Sequence, residues 1–361
     1  MKVLFCINKL GSGSGIGGAE RLVVDDINEM LKRGISVRLL TFKNESKFSL
    51  SSESKLDKKY WSTIHFSTPF NIFAWVKTYQ YIKEEKPDVV FSHLWFSNGI
   101  IRIICKIAGV RNVISFEHNV YDAVKTEKMY VVDRFLNRWC KKIVAVSNAV
   151  KNSLIEHGID ENRIIVIHNG IDIYKYNKKP NPKIKEDLSI PQDAFIFLTI
   201  GRLIPQKGID VLLKAFAKIQ NNPHLIIVGS GIEEENLKKL AKELGVESRV
   251  SFLGIRHDIP DVLATSNCFI LSSRYEGLGI VVLEAMAASK PIIISDFEAG
   301  KDMIDNNVSG LIIKRENVEE LSSAMMKLMS DVSLRENLSK KAFEKVQEFS
   351  IENHVNKILS L

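Results

Sequence analysis

Two glutamates, Glu276 and Glu284, are the first residues of this sequence whose types and spacing could do chemistry. They occur in the stretch SRYEGLGIVVLEAMAASK, where Gly277 and Gly279 predict a loop and the residues from Val281 onward predict a helix. A carboxylate about one turn into that helix would reach ligand hydroxyls, and the free N–H groups at a helix start favour an anionic or polar ligand. The apolar neighbours of Glu276 and Glu284 argue against a solvated helix face. The alternative is that the two acids occur at a helix start by chance and have no functional role.

Two cations follow another predicted strand. Residues 195–200 are apolar apart from Thr199, Gly201 turns the chain, and Arg202 and Lys207 come next. Open α/β sheets bind ligands at the carboxyl ends of their strands, and a guanidinium beside an ammonium suits two adjacent phosphates. The pattern indicates a diphosphate site, with solvated loop cations as the alternative.

The N-terminal stretch KLGSGSGIGGAERLV fits G-x-G-x-x-G at Gly13, Gly15 and Gly18. A dinucleotide site would also need an acidic residue about 20 positions later, at the end of the second strand. Glu45 lies beyond that predicted strand, which argues against such a site. We expect Gly18, at a helix start, to face a phosphate or sugar, and Gly11–Gly15 to close over the site when a ligand binds.

Length and composition are typical of a globular protein with two domains. The chain has 361 residues, of which 45% are hydrophobic and 26% charged, and it contains neither a long apolar run nor a signal-peptide pattern. Its four cysteines are far apart and form no C-x-x-C, which favours reduced thiols in a cytoplasmic protein over a zinc site.

The positive charge is concentrated in the first half of the chain. Residues 1–172 contain 25 Lys and Arg against 18 Asp and Glu, which accounts for the whole net charge of +7. Such an excess is explained either by a solvated surface or by attraction to an anionic membrane or a diphosphate-bearing lipid. Nucleic acid is not expected as a partner, because no nucleic-acid-binding motif accompanies the charge.

The elements that must position these residues alternate between strand and helix. Short apolar runs separated by amphipathic stretches predict parallel sheets covered on both faces. A polar stretch with three prolines interrupts the alternation. The predicted fold is α/β, with two doubly wound Rossmann-like domains facing across a cleft. We predict domains at residues 1–172 and 195–350, a linker at 173–194, and a final helix, 351–361, that packs back onto the first domain.

Eight motifs recur along the chain in a recognisable order. They are Gly201-Arg202, Lys207-Gly208, VGSG at 228–231, Glu276-Gly277-(x)6-Glu284-Ala285-Met286, GGAER at 17–21, Glu117-His118-Asn119, Ser147 and NGID at 169–172. Together these motifs resemble those of the retaining glycosyltransferases of the GT4 type, which have the GT-B fold. The resemblance covers nearly the whole chain, closely in residues 200–310 and loosely in residues 40–110.

The resemblance implies transfer of a sugar, with retention, from a nucleoside-diphosphate sugar. A UDP-sugar is favoured, and a hexosyl or N-acetylhexosaminyl group would pass to a glycan or polyprenyl-diphosphate-linked acceptor in bacterial surface polysaccharide or glycoconjugate synthesis. Neither a metal nor another cofactor is implied, and the sequence has no D-x-D motif at a strand end. A sugar-nucleotide epimerase of the same fold, a dinucleotide-dependent oxidoreductase and a non-catalytic nucleotide-binding protein are the alternatives.

The resemblance also implies roles for single residues. Arg202 and Lys207 would hold the donor diphosphate, Glu284 would accept hydrogen bonds from the ribose, and Glu276 would position the transferred sugar. His118 would lie near the sugar 6-hydroxyl or the reacting centre. The implied donor-binding set is Gly18, Gly201, Arg202, Lys207, Gly229, Glu276, Gly277, Leu278, Gly279 and Glu284, with Gly300 as a further loop glycine near the sugar.

Two interpretations concern the acceptor side. His93, with Trp95 and Phe96, would line the acceptor groove, or these residues form a packed aromatic cluster. The helices predicted at 71–86 and 125–142 mix basic and aromatic residues, as helices at a membrane interface do, although a core-facing stripe explains the same pattern. The protein is therefore expected in the cytoplasm, in peripheral contact with the inner face of the cell membrane.

Overall fold

The structure is a computed structural model that describes residues 1–10, 17–43, 56–120 and 126–361. It divides into a first unit, Met1–Gly170 with Ile351–Leu361, and a second unit, Ile171–Ser350. The stretch predicted as a linker belongs to the second unit. It contains a 3-10 helix whose residues Ile173 and Tyr176 are buried, so that these side chains anchor the stretch to this unit.

The first unit contains a parallel sheet whose described strands run in the order β3-β2-β1-β4-β5-β6-β7. The strands are β1 Lys2–Ile7, β2 Ser36–Thr41, β3 Trp61–Thr63, β4 Val89–His93, β5 Val113–Glu117, β6 Lys142–Ala145 and β7 Ile164–Val166. The helices are α1 Gly18–Lys32, α2 Ile72–Glu85, α3 Trp95–Ala108, α4 Glu127–Leu136 and α5 Asn148–Glu156, together with the C-terminal α14 Ile351–Leu359.

The second unit repeats this architecture with the strand order β10-β9-β8-β11-β12-β13. The strands are β8 Ile196–Ile200, β9 His224–Val228, β10 Val250–Phe252, β11 Cys268–Leu271, β12 Ile292–Ser295 and β13 Leu311–Ile313. The helices are α6 Pro182–Asp187, α7 Ile209–Ala217, α8 Glu234–Glu243, α9 Ile259–Thr265, α10 Ile280–Ala287, α11 Gly300–Met303, α12 Val318–Ser330 and α13 Val332–Val346.

The central strands explain why the sequence predicted an alternation of strands and helices. Every residue of β5, β8, β9 and β11 is buried, so these strands appear in the sequence as mostly apolar runs. The edge strands of the two described sheets, β3, β7, β10 and β13, have three residues each, and so short a run shows little periodicity. Of these strands only β10 was predicted. The predicted fold class of two parallel, doubly wound α/β units is confirmed.

Both sheets reverse their strand order at one point. The reversal lies between β1 and β4 in the first unit and between β8 and β11 in the second. Loops that leave the carboxyl ends of strands on either side of such a point diverge and form a crevice, which is the usual ligand site in open α/β sheets. Gly18 follows β1, Lys207 follows β8 and Glu276 follows β11, whereas His118 and Gly229 follow the neighbouring strands β5 and β9.

The C-terminal helix α14 packs against α1 in the first unit. Its Ile351, Val355 and Ile358 are buried in the core that also contains β1 and α1 residues. Among the described residues, no helix is long and apolar enough to cross a membrane.

Candidate active site

An ion pair between Lys207 and Glu276 joins the loops that follow β8 and β11. Lys207 Nζ lies 2.5 Å from Glu276 Oε1, and the two side chains are only 13% and 9% exposed. The Ser273 hydroxyl donates a second hydrogen bond to the same carboxylate oxygen, at 2.6 Å. The two residues predicted to bind diphosphate and sugar are therefore in contact at the strand-order reversal of the second unit.

Three glycines let the backbone approach closely around Lys207. A Cβ at Gly229 would lie 1.9 Å from the Gly201 carbonyl oxygen, and Gly229 has a φ of +132°, which side-chain-bearing residues rarely adopt. A Cβ at Gly201 would lie 3.2 Å from Lys207 Cε, so the lysine stem runs over this glycine. A Cβ at Gly208 would lie 2.2 Å from the Ser272 carbonyl oxygen. Small residues at these positions bring the ends of β8, β9 and β11 together.

The loop after β8 is fastened to the loop after β11 by further hydrogen bonds. Gln206 Nε2 donates to the Tyr275 carbonyl at 2.8 Å, and the Arg274 N–H donates to the Gln206 carbonyl at 2.8 Å. The Arg274 guanidinium forms a bidentate pair with Asp210 at 3.1 and 3.0 Å. These contacts fix the backbone on both sides of the Lys207–Glu276 pair.

Arg202 differs from Lys207 in its surroundings. Its side chain is exposed and forms no ion pair or side-chain hydrogen bond within the ranges that the structure describes. The two predicted diphosphate ligands both follow β8, yet only Lys207 is held by an acidic partner. Arg202 is therefore free to move toward an anion that reaches this loop.

Glu284 lies inside the second unit, on α10. It is 1% exposed, and the Tyr176 hydroxyl donates a hydrogen bond of 2.7 Å to its Oε1. Helix α10 begins directly after Gly279, whose φ of +93° places it in the left-handed region. Leu278 is buried beside Gly279, and Gly277 completes the turn. This turn brings the helix start, with its free N–H groups, next to the Glu276 loop.

Gly300 is required by packing. It lies at the start of α11, and a Cβ there would approach Ile294 Cδ1 to 2.6 Å and Phe297 Cε2 to 3.2 Å. The contacts of this glycine explain the residue without a ligand.

In the first unit, Gly18 is the first residue of α1 and is exposed. The preceding Gly17 has an extended backbone and is the helix N-cap. Gly13 and Gly15, and the loop predicted to close over a ligand, lie outside the described residues, as does Glu45.

His93 and His118 form a hydrogen-bonded pair at the carboxyl ends of β4 and β5. His93 Nδ1 lies 3.0 Å from His118 Nε2, and the rings are nearly parallel, with centroids 5.2 Å apart. His93 is fully buried and His118 half-buried. Burial lowers the pKa of His93 well below its usual value and lowers the pKa of His118 to about 3, so both rings are neutral in the folded protein.

A buried acid–base pair lies close to these rings. His354 Nε2 on α14 is 3.4 Å from Asp26 Oδ1 on α1, and His354 Nδ1 lies 2.7 Å from the His168 carbonyl oxygen. Burial opposes charge on His354, but the Asp26 carboxylate outweighs it and raises the pKa of this histidine. Burial raises the pKa of Asp26, and His354 offsets part of that rise.

Glu117, which precedes His118 in the chain, is bound by the side chains of a buried polar network. Arg102 is fully buried; its Nη1 is 3.0 Å from Asp133 and its Nη2 is 3.5 Å from Glu117 Oε1. Asn98 Nδ2 donates to the same Glu117 oxygen at 3.2 Å. The buried charges of α3, α4 and β5 therefore fix the backbone from which His118 extends.

The aromatic residues near His93 divide into two groups. Phe96 packs edge-on against Phe42 and Phe66, in the packed cluster that the sequence left open as an alternative. His93 instead stacks on Phe116, with ring centroids 4.3 Å apart. The structure therefore separates His93 from the predicted aromatic groove and joins it to His118.

Large apolar side chains are exposed at the start of α2. Phe70, Ile72 and Phe73 are 87%, 73% and 82% exposed. Further exposed apolar residues occur on α4, and α3 packs against both helices. We call Phe70, Ile72 and Phe73 the α2 apolar patch.

Two contacts of the site have no signal in the sequence. Tyr176 lies 108 residues before its partner Glu284, in the stretch predicted as a linker. Ser273, which bonds Glu276, looked like an ordinary loop residue. Over the described residues, no group of three or more His, Cys, Asp or Glu side chains could hold a metal ion.

Two models of known protein families match this chain. The model of "Glycosyltransferase Family 4" matches residues 16–175, and the model of "Glycosyl transferases group 1" matches residues 180–345. Together they cover nearly all of both units.

The chain is also similar to individual glycosyltransferases and to solved structures. The chain is 29% identical to the UDP-Gal:alpha-D-GlcNAc-diphosphoundecaprenol alpha-1,3-galactosyltransferase of Escherichia coli, over 79% of this chain and 78% of that protein. It is 24% identical to the lipopolysaccharide core biosynthesis glycosyltransferase LpsE of Rhizobium meliloti, over 96% and 95%. Its fold matches that of Anabaena HepE, crystallised with UDP and glucose, with a TM-score of 0.89, 22% identity and coverage of 100% and 98%.

Proposed function

The chain belongs to the family 4 glycosyltransferases of the GT-B type, and we propose that it moves a sugar from a UDP-sugar to a polyprenyl-diphosphate-linked or glycan acceptor. The transfer would retain the anomeric configuration. The sugar would be a hexose or N-acetylhexosamine, and the product a bacterial surface polysaccharide or glycoconjugate.

The observation that carries this proposal is the Lys207–Glu276 pair at the strand-order reversal of the second unit. Lys207 is a cation held at the position where open α/β sheets receive phosphates, and Arg202 is exposed on the same loop. A diphosphate that binds there would replace Glu276 as the partner of the Lys207 ammonium. Glu276 would then be released to accept hydrogen bonds from sugar hydroxyls.

The chemistry follows from where charge develops. When the bond from the anomeric carbon to the diphosphate breaks, negative charge accumulates on the leaving oxygens, and Lys207 and Arg202 would stabilise it. Because two side-chain cations supply this stabilisation, the proposed reaction needs no metal ion. We propose attack of the acceptor hydroxyl on the same face from which UDP leaves, without an enzymic nucleophile.

The choice of UDP and of a lipid-linked acceptor is supported by the relatives. The name of the Escherichia coli relative specifies UDP-Gal as donor and a diphosphoundecaprenol-linked GlcNAc as acceptor. HepE was crystallised with UDP and glucose. Glu284, buried near the start of α10 and bonded by Tyr176, is the carboxylate that we assign to the ribose hydroxyls.

We also propose that the first unit contacts the cytoplasmic face of an anionic membrane through the α2 apolar patch. Its three exposed side chains could insert between lipid headgroups, and the surplus of Lys and Arg in residues 1–172 would attract anionic lipid. This placement would bring the enzyme to a lipid-linked acceptor.

Nucleotide selectivity in a thermal-shift assay tests the proposed function. A ligand that binds only the folded protein raises its melting temperature with concentration. We expect UDP to raise it, NAD to leave it unchanged, and Lys207→Ala to remove the UDP effect. Stabilisation by NAD alone would overturn the proposal in favour of a dinucleotide-dependent enzyme.

A further inference from the structure

One carboxylate oxygen of Glu276 accepts hydrogen bonds from two donors of different kinds. Lys207 Nζ lies 2.5 Å from Glu276 Oε1, and the Ser273 hydroxyl lies 2.6 Å from the same atom. An ionised carboxylate only accepts hydrogen bonds, so the serine hydroxyl is the donor. The other oxygen, Oε2, accepts no hydrogen bond within the described ranges and is not completely enclosed by protein. The protein therefore holds one oxygen of Glu276 and leaves the other available to a ligand.

The two donors differ in how firmly the fold holds them. Ser273 is fully buried, and its backbone carbonyl accepts a hydrogen bond from the hydroxyl of Ser295, the last residue of β12. Because the serine oxygen is bonded directly to Cβ, a fixed backbone also fixes this donor. Lys207 reaches Glu276 with a flexible four-carbon stem, and its side chain is 13% exposed. The ammonium can therefore move away from Glu276 while the hydroxyl stays in place.

A bound diphosphate would change which donors Glu276 retains. In the proposed function, the diphosphate replaces Glu276 as the partner of Lys207. The carboxylate, on a side chain that is only 9% exposed, then keeps the Ser273 hydroxyl as its one hydrogen-bond donor among the described residues. A hydrogen bond to an ionised acceptor is stronger than one between neutral groups, and a buried carboxylate without any donor is unfavourable. The Ser273 hydroxyl is therefore most important in the state in which the nucleotide sugar is bound.

We propose that Ser273 is a positioning residue: its hydroxyl holds Glu276 Oε1 after Lys207 has moved to the diphosphate, so that Oε2 can accept a hydrogen bond from the transferred sugar. The part that concerns substrate rests on the proposed function. The dependence of Glu276 on Ser273 once the ammonium is gone is a property of the protein alone. It can therefore be measured without any ligand, by removal of the ammonium through substitution.

Melting temperatures of the full-length protein without ligand test this dependence. Lys207→Met removes the ammonium but keeps an apolar stem, and so imitates the state in which Lys207 has left Glu276. We expect Ser273→Ala to lower the melting temperature by about 2–4 °C more in the Lys207→Met background than in the wild type. Ser266→Ala is the matched control, because this buried hydroxyl in the same unit donates to the Leu263 carbonyl at 2.9 Å, and its effect should be equal in both backgrounds. An equal effect of Ser273→Ala in both backgrounds would overturn the proposal, whether or not the protein transfers sugar.

Sugar transfer by two variants of Ser273 tests the effect on catalysis. Ser273→Ala removes the hydroxyl, and Ser273→Thr retains it. We expect Ser273→Ala to lower kcat about 10- to 100-fold, as loss of a hydrogen bond to a charged group does, and Ser273→Thr to keep more activity. In the Glu276→Ala background, Ser273→Ala should cause no further loss, because the hydroxyl acts only through that carboxylate. A further loss of the same size in that background, or wild-type kcat in Ser273→Ala, would contradict the proposal. An inactive wild-type protein with the expected melting temperatures would count against the proposed function alone.

Discussion

We expect Lys207→Ala to lower both the stability and the activity of the protein, for two different physical reasons. The side chains of Lys207 and Glu276 are 13% and 9% exposed, so removal of the lysine leaves a largely buried carboxylate to which the Ser273 hydroxyl still donates a hydrogen bond. Loss of one partner from a fully buried pair costs about 3–5 kcal/mol, and the residual exposure places this case near 3 kcal/mol. For a unit of about 180 residues, Ile171–Ser350, that free energy lowers the melting temperature by about 6–12 °C.

Loss of activity has a different cause, which the double variant reveals. A missing donor to a developing anion lowers kcat by about 100- to 1,000-fold. Lys207→Ala with Glu276→Gln removes the unpaired charge, so the melting temperature should largely recover while activity should not. Lys218→Ala is the matched control, because its pair with Glu319 is exposed and contributes less than about 1 kcal/mol. Calorimetry and release of UDP from a UDP-sugar measure the two effects. A Lys207→Ala protein with wild-type kcat, or a double variant that regains activity, would refute the reasoning.

The remaining predictions concern the ribose carboxylate, the membrane and acid stability. Tyr176→Phe removes the 2.7 Å hydrogen bond to Glu284, and we expect weaker UDP binding by about 1 kcal/mol in calorimetric titration; unchanged affinity would contradict the ribose assignment. Phe73→Ser should reduce flotation with anionic vesicles, whereas Ile232→Ser, which alters an 81% exposed residue of the second unit, should not, and equal flotation of both would refute the membrane contact. Burial lowers the pKa of His118 to about 3, so its contribution to stability is present above about pH 6.5 and is lost as the pH falls toward 3. The free energy of unfolding should fall by up to about 1.4 kcal/mol per pH unit in that range. If His118→Asn leaves this pH dependence unchanged, the titration of His118 is not its cause.

The sequence predicted the fold class because its central strands are buried on both faces. The residues of β8 are all buried and, apart from Thr199, all apolar, so such a strand cannot be mistaken for a surface segment once helices separate it from the next. The site residues Glu276 and Lys207 were predictable for a related reason: each lies in the loop that follows such a strand, and strand ends gather at one edge of a parallel sheet.

Contacts between distant parts of the chain were not predictable. Tyr176 reaches Glu284 because the proposed linker folds against α9 and α10, which no local pattern in a polar, proline-containing stretch reveals. The pairing of His93 with His118 depends on the register of β4 against β5, in which His93 lies opposite Phe116. A shift of one residue would have pointed the two rings to opposite faces of the sheet.

The measurement that tests the central claim most directly is sugar transfer from radiolabelled nucleotide sugars to a polyprenyl-diphosphate-linked acceptor, with NMR of the product. We predict that a UDP-sugar donates its hexosyl or N-acetylhexosaminyl group, that UDP is released, and that the new bond has the anomeric configuration of the donor. Transfer with inversion would contradict the proposed mechanism. Failure of every UDP-sugar, together with interconversion of the free nucleotide sugar into its epimer, would contradict the transferase assignment itself.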